Sequence, residues 1–230
     1  VIGTNQDNTQ GLYNVLIGSN SGKTIDVAGV GNTCVGYASG DIISDGAYNV
    51  LIGGGTGGNI TTGTYNVCIG IGVQPSSATA YNQIGIGKSA APNADNEIEL
   101  GNYEISAIRC QQNSISSLSD IRDKKDVVDS YFGLDFINEI RPIIYTWDIR
   151  NSDDNNPNQG KRRVGFIAQE LESAYDNGDY NDILDIVDKS DPEKLCIREG
   201  KLIPVLTKAV QELSAKIDTM QEEINTLKQG

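Results

Sequence analysis

The sequence predicts a multidomain chain: an N-terminal trimeric β-solenoid or β-prism of about 17-residue repeats, then a mixed α/β domain ending in a trimeric coiled coil. Three observations predict it. A short unit with a β-branched centre and a closing glycine recurs through the first hundred residues. The composition then changes abruptly. Residues 1–100 hold 19 of the 26 glycines, two lysines and no arginine, and the other 16 basic residues lie beyond them. Last, the C-terminal stretch carries apolar residues at alternating spacings of four and three. These features divide the chain into a repeat domain at 1–101, a connector at 102–118 and a domain at 119–230, whose coiled coil occupies 204–228.

The repeats come first. Tyr13-Asn14-Val15-Leu16-Ile17-Gly18 returns as Tyr48-Asn49-Val50-Leu51-Ile52-Gly53 and as Tyr65-Asn66-Val67-Cys68-Ile69-Gly70. Gly31-Asn32-Thr33-Cys34-Val35-Gly36 is a degenerate copy, and Tyr81-Asn82 opens another. One unit cannot bury its apolar face, but a stack can. Only about three residues per repeat are apolar, so we expect several chains to share one core, with a single-chain β-helix as the alternative. Cys34 and Cys68 sit at strand centres and read as small buried hydrophobes. The asparagine amides are expected to satisfy turn or inter-chain backbone groups rather than a ligand. Glu97 to Gly101 alternates as a last strand would. The pattern resembles the head repeats of trimeric autotransporter adhesins, and that resemblance implies three interlocked chains.

Composition excludes several roles. A net charge of −13 and a pI near 4.3 argue against nucleic acid and against an anionic membrane. No apolar run reaches the length of a membrane span, so no membrane insertion is expected. Cys34, Cys68, Cys110 and Cys196 are far apart and lack zinc spacing, which suggests reduced thiols and assembly in a cytoplasm. The polar run from Asn151 to Gly160 fails the calcium-loop template and reads as a solvated loop. We expect no metal and no cofactor.

The junction holds the chemistry. Ser119-Asp120-Ile121-Arg122-Asp123-Lys124 places a hydroxyl and an amine five residues apart. A serine hydroxyl needs a base, and a chain with no histidine closes the usual serine–histidine route. A lysine can serve if it is partly neutral, which gives Ser119 as nucleophile and Lys124 as general base. Asp120 and Arg122 would orient the loop. Asp123 and Asp126 flank the lysine pair and would make Lys124 a poorer base. The plain structural alternative is a polar loop with Ser117 or Ser119 capping a helix.

Beyond the junction, Leu134, Phe136, Ile137 and Ile140 have helical spacing, and Pro142 ends that helix. Ile143 to Trp147 and Arg162 to Ala168 read as strands, Gln169 to Tyr175 as a helix, and 183–187 with 195–198 as a hairpin. In the C-terminal helix Leu206, Val210, Leu213, Ile217, Met220, Ile224 and Leu227 form a heptad seam. β-branched residues at a, with Leu-like residues at d, favour two strands by the usual rule, whereas the repeats favour three.

The junction motif, Gly165-Phe166-Ile167-Ala168-Gln169-Glu170-Leu171 and Leu202-Ile203-Pro204-Val205-Leu206 in this order resemble the C-terminal intramolecular chaperone of endosialidase-type tailspikes and tail fibres. That resemblance implies a homotrimer acting on upstream fibre domains of the same chain, then releasing itself by self-cleavage beside Ser119. It places the cut at Ser119–Asp120. Ring closure onto the preceding carbonyl would instead favour Leu118–Ser119. It also implies a fibre in a virion, assembled in a host cytoplasm, with a host-surface receptor as a partner and the released chaperone absent from the mature particle. Two other readings compete: an adhesin whose C-terminal clamp stays attached, and a nucleotide-driven chaperone. No phosphate-binding glycine loop with lysine supports the last.

Overall fold

In the computed structural model of the chain, the described residues are 13–111, 115–150, 156–175 and 183–229. They form two compact units, the first running to Ile108 and the second comprising most of the chain from Arg109 onward.

The first unit is a parallel β-solenoid. Its six strands are β1 (Val15–Ile17), β2 (Thr33–Val35), β3 (Val50–Ile52), β4 (Val67–Ile69), β5 (Ile84–Ile86) and β6 (Ile98–Leu100). Each pairs with the next in sequence order, so the five intervals between six strands are five turns of one coil. Strand centres point inward. Leu16, Cys34, Leu51 and Cys68 stack in one column, and Ile25, Ile43 and Ile60 face them from the far wall. The expectation of a core shared between chains is therefore corrected: these side chains are buried within one chain.

The thin apolar content suffices because polar columns fill the rest. Asn32, Asn49, Asn66 and Gln83 are fully buried. The Asn49 amide donates to the Gly63 carbonyl at 2.9 Å, while its oxygen accepts from the backbone N–H of Asn66 at 3.0 Å. Asn32 and Asn66 repeat that arrangement one turn on either side. The amides thus satisfy backbone groups between turns of the same chain. Buried polar groups cost little only when paired, and this ladder pairs them.

The ladder corrects the repeat register. Its fifth member is Gln83, because Ile84 pairs with Val67 as Val67 pairs with Val50. Asn82 instead occupies the preceding column with Tyr48 and Tyr65. All three have left-handed backbones, with φ of 52°, 56° and 62°. Asparagine tolerates that conformation well and tyrosine poorly. The tyrosines gain compensation from ring stacking, the Tyr48 and Tyr65 ring centroids lying 5.3 Å apart with the ring planes nearly parallel. The closing glycine of each turn is required for a different reason. A Cβ at Gly53 would lie 2.0 Å from the Gly70 carbonyl oxygen, at a φ of +139°.

The thiols of Cys34 and Cys68 are buried, and desolvation pushes both up to about 12. They are the small hydrophobes the sequence predicts.

The second unit is mixed. Helix α1 (Leu134–Glu139) ends before Pro142, β7 (Ile143–Thr146) pairs antiparallel with β8 (Arg162–Gly165), and α2 (Ala168–Tyr175) follows. Strands β9 (Val187–Asp188) and β10 (Cys196–Ile197) pair as an antiparallel hairpin, but its first arm begins later than the predicted 183–187, since Ile183 and Leu184 are helical; α3 spans Leu202–Gln229. Phe132, Phe136, Leu171, Ile186, Leu202 and Val205 close its core. Part of the loop predicted as solvated, 151–155, lies outside the described residues, and Asn156 beside it is buried. No helix among the described residues is long and apolar enough to cross a membrane.

Candidate active site at Ser119 and Lys124

The site is built by one turn of 3-10 helix. Ile121–Asp123 form that turn, and Asp120 rather than a serine is its N-cap. The Asp120 carboxylate accepts the Arg122 backbone N–H at 2.9 Å, as a short acidic cap should. Its two oxygens also take the Arg122 guanidinium, Nε at 3.0 Å and Nη2 at 2.6 Å. Arg122 side-chain bonding, then its backbone N–H, holds the Asp120 carboxyl below the usual carboxylate range. The same pairing holds the guanidinium above its ordinary value.

The turn then closes. The Lys124 backbone N–H donates to the Ile121 carbonyl at 3.1 Å. This reversal sends the lysine side chain back along the loop, where Nζ donates to Ser119 Oγ at 2.8 Å. Two groups five residues apart in sequence are thus in direct hydrogen-bond contact. Across that contact a neutral amine could accept the hydroxyl proton, which is the geometric requirement for a general base. Asp123 and Asp126 make no ion pair with Lys124. Asp126 has a left-handed φ of 53°. Ser119, Lys124 and Leu118 are all exposed in the single chain.

Residues 119–180 match the family model of the chaperone of endosialidase. The match begins at the serine of the hydrogen-bonded pair. This shows the resemblance read from the junction motif and Gly165–Leu171, and it supports an intramolecular chaperone role in general. The family is classed by name as a peptidase, which suggests self-cleavage. No curated protein and no solved structure matches the chain.

The chaperone segment leads into α3, which has two apolar faces. Leu202, Val205 and Ala209 are buried against the domain. Leu206, Val210, Leu213, Ile217, Met220, Ile224 and Leu227 are all exposed in the single chain, Val210 at 64%. One residue of α3 carries no signal in its local sequence. Glu212 reaches across 78 positions to accept the Leu134 N–H at 2.8 Å, capping α1. A Cβ at Gly133, the N-cap residue, would lie 2.4 Å from the Glu212 carboxylate, so any larger residue there would push that carboxylate away from the cap. A donor–acceptor pair so distant in sequence leaves no periodic trace, although the unexplained glycine before an apolar helix is a pointer.

Proposed function

We propose that the chain is the C-terminal part of a viral tail fibre or spike, with residues 119–230 acting as an intramolecular chaperone. In this reading three chains assemble through the α3 seam, the β-rich fibre is aligned, and the chaperone releases itself at Ser119. The observation that carries the reading is the 2.8 Å contact between Lys124 Nζ and Ser119 Oγ at the first residue of the family match. Ser119 is the nucleophile and Lys124 its base, while the Asp120–Arg122 clamp fixes the turn that brings them together. We place the cut at Ser119–Asp120, following the family resemblance. The exposed heptad stripe supports assembly through α3, since seven uncovered apolar side chains on one helix face call for partner helices, while the choice of three rests on the family resemblance and the repeats.

Exposure of the pair favours a second reading. In the single chain Ser119 and Lys124 both face solvent, and nothing around them shields their contact from water. The C-terminal domain could then remain attached as a clamp. Denaturing gel electrophoresis of freshly expressed protein separates the two readings. Two bands, corresponding to 1–119 and 120–230, select release; one intact band selects the clamp.

A further inference from the structure

The loop that carries Ser119 and Lys124 stands in solvent. From Ile115 to Tyr131 no residue is buried, and all but Asp120 are exposed. Phe132 and Gly133 are the first buried residues after the pair. Phe132 belongs to the core that Leu202 and Val205 of α3 also enter, and Leu134 opens α1. The stretch from Lys124 to Phe132 has no helix or strand. Fully extended, it reaches at most about 28 Å. The pair is therefore tethered to the place where Phe132, Gly133 and Leu134 are held against α3.

Glu212 does the holding. Gly133, the N-cap of α1, has no side chain to offer the first turn. Glu212 supplies the missing oxygen from α3, accepting the Leu134 N–H at 2.8 Å. Its charge also suits the positive end of α1. A helix of six residues is too short to persist alone, so a cap borrowed from α3 makes α1 conditional on α3. A local cap at position 133 would have left the first turn independent of it. Leu202, Val205, Ala209 and Glu212 are spaced three, four and three, which is one face of α3. Beyond Ala209, Glu212 is the one described residue of α3 that is not exposed. It is the last point at which α3 grips its own domain before the seam runs free. Val210 and Leu213, each one residue later, lie about 100° further round the helix. Gripping α1 and joining partner helices therefore do not compete.

We infer that Glu212 is a positioning residue for self-release, fixing the foot of the Ser119–Lys124 loop to the helix that carries the assembly seam. The inference rests on the release reading above and adds the link between seam and pair. When seams join, each α3 is fixed relative to the others, and through Glu212 so is the foot of each loop. Glu212 touches neither reacting group and acts through Leu134 and α1. Without that bond the loop keeps its own geometry, because the Asp120–Arg122 clamp and the Lys124–Ser119 contact are local. What it loses is a fixed place. A misplacement of about 1 Å, caused far from the chemistry, is enough to slow a reaction on the order of a hundredfold.

The test uses the full chain. Cleavage is followed on denaturing gels after a labelled pulse of expression. Glu212→Ala should slow it at least about tenfold. Glu212→Gln keeps an oxygen at the same reach for the Leu134 N–H and should recover most of the parent rate. Glu222→Ala, exposed farther along α3, should cut like the parent. A Ser119→Ala background keeps the chain whole for two further readouts. There Glu212→Ala should retain the number of copies that sedimentation equilibrium gives for Ser119→Ala alone. Its faster amide exchange should be confined to Leu134 and the first turn of α1. Three results would overturn the inference and leave the release reading standing: Glu212→Ala cut at the parent rate, Glu212→Gln as slow as Glu212→Ala, or equal slowing by Glu222→Ala. Loss of assembly in Glu212→Ala, or of exchange protection throughout the second unit, would make Glu212 a folding residue and would overturn the inference too. A parent chain that stays uncut would overturn the release reading, and this inference with it.

Discussion

At the residue scale, the proposed self-cleavage depends on two side chains and the turn between them. Ser119→Ala and Lys124→Ala should each abolish self-cleavage while leaving the fold intact, whereas Lys125→Ala should be mild; gel densitometry over time reads all three. Damage from Lys125→Ala instead would put the base one residue later. The clamp has a defined pH behaviour. Because the Asp120 pKa is depressed in the folded chain, its contribution is present above the unfolded carboxylate range and is lost as pH falls through the lowered folded value. The junction turn should therefore persist in mildly acidic buffer, and Asp120→Asn should loosen it there and at neutral pH, with the difference from the parent shrinking as pH falls through the lowered value, as amide exchange at Arg122 would register. The thiols offer an independent check. With Cys34 and Cys68 buried and pushed up to about 12, only Cys110 and Cys196 should react with a thiol reagent before denaturation. Four fast-reacting thiols would contradict the buried solenoid column.

At the element scale, the solenoid turns are fixed by backbone geometry more than by apolar bulk. Gly53→Ala drives a methyl into the next turn's carbonyl, and should cost about 3 kcal/mol or more. Gly55→Ala meets nothing within 4 Å and bears only its positive φ of 62°, so about 1 kcal/mol is expected. Urea denaturation of the pair separates collision from backbone strain. Asn49→Ala leaves Gly63 and Asn66 backbone groups unpaired in the core and should cost about 1–3 kcal/mol by the same assay. These elements also mark how far the sequence could be read. Strand centres and closing glycines were legible because the centres of β1 to β4 are Leu or Cys and each of those turns closes on glycine. The register at Tyr81-Asn82 was not, because the columns demand properties rather than a dipeptide. Gln83 supplies the buried amide as well as asparagine does, and Asn82 supplies the left-handed backbone as well as tyrosine. The single-chain core was ranked second to a shared one for a related reason: counting apolar residues ignores a buried amide ladder that fills the same space. At the junction the five-residue spacing was legible, but Asp120 as cap and Glu212 as a remote cap were not, since both depend on contacts that no period encodes.

At the scale of the whole molecule, the α3 heptad stripe and the Ser119–Lys124 pair are both exposed in the single chain. The proposed assembly explains why the pair sits at the junction. Burial between chains would withdraw Lys124 from water, and cleavage would then report that assembly is complete. Ile217→Asp with Ile224→Asp places like charges in two seam layers and should leave both a monomer and an uncut chain. Normal cleavage by that monomer would mean the pair is competent before assembly, and the link between folding and release would fall. The most direct test of self-release is the intact mass of freshly expressed protein beside Ser119→Ala and Lys124→Ala. The account predicts two fragments from the parent chain, ending at Ser119 and beginning at Asp120, and a single uncut mass from each variant. An uncut parent chain, or a Lys124→Ala variant cut at the parent rate, would contradict it.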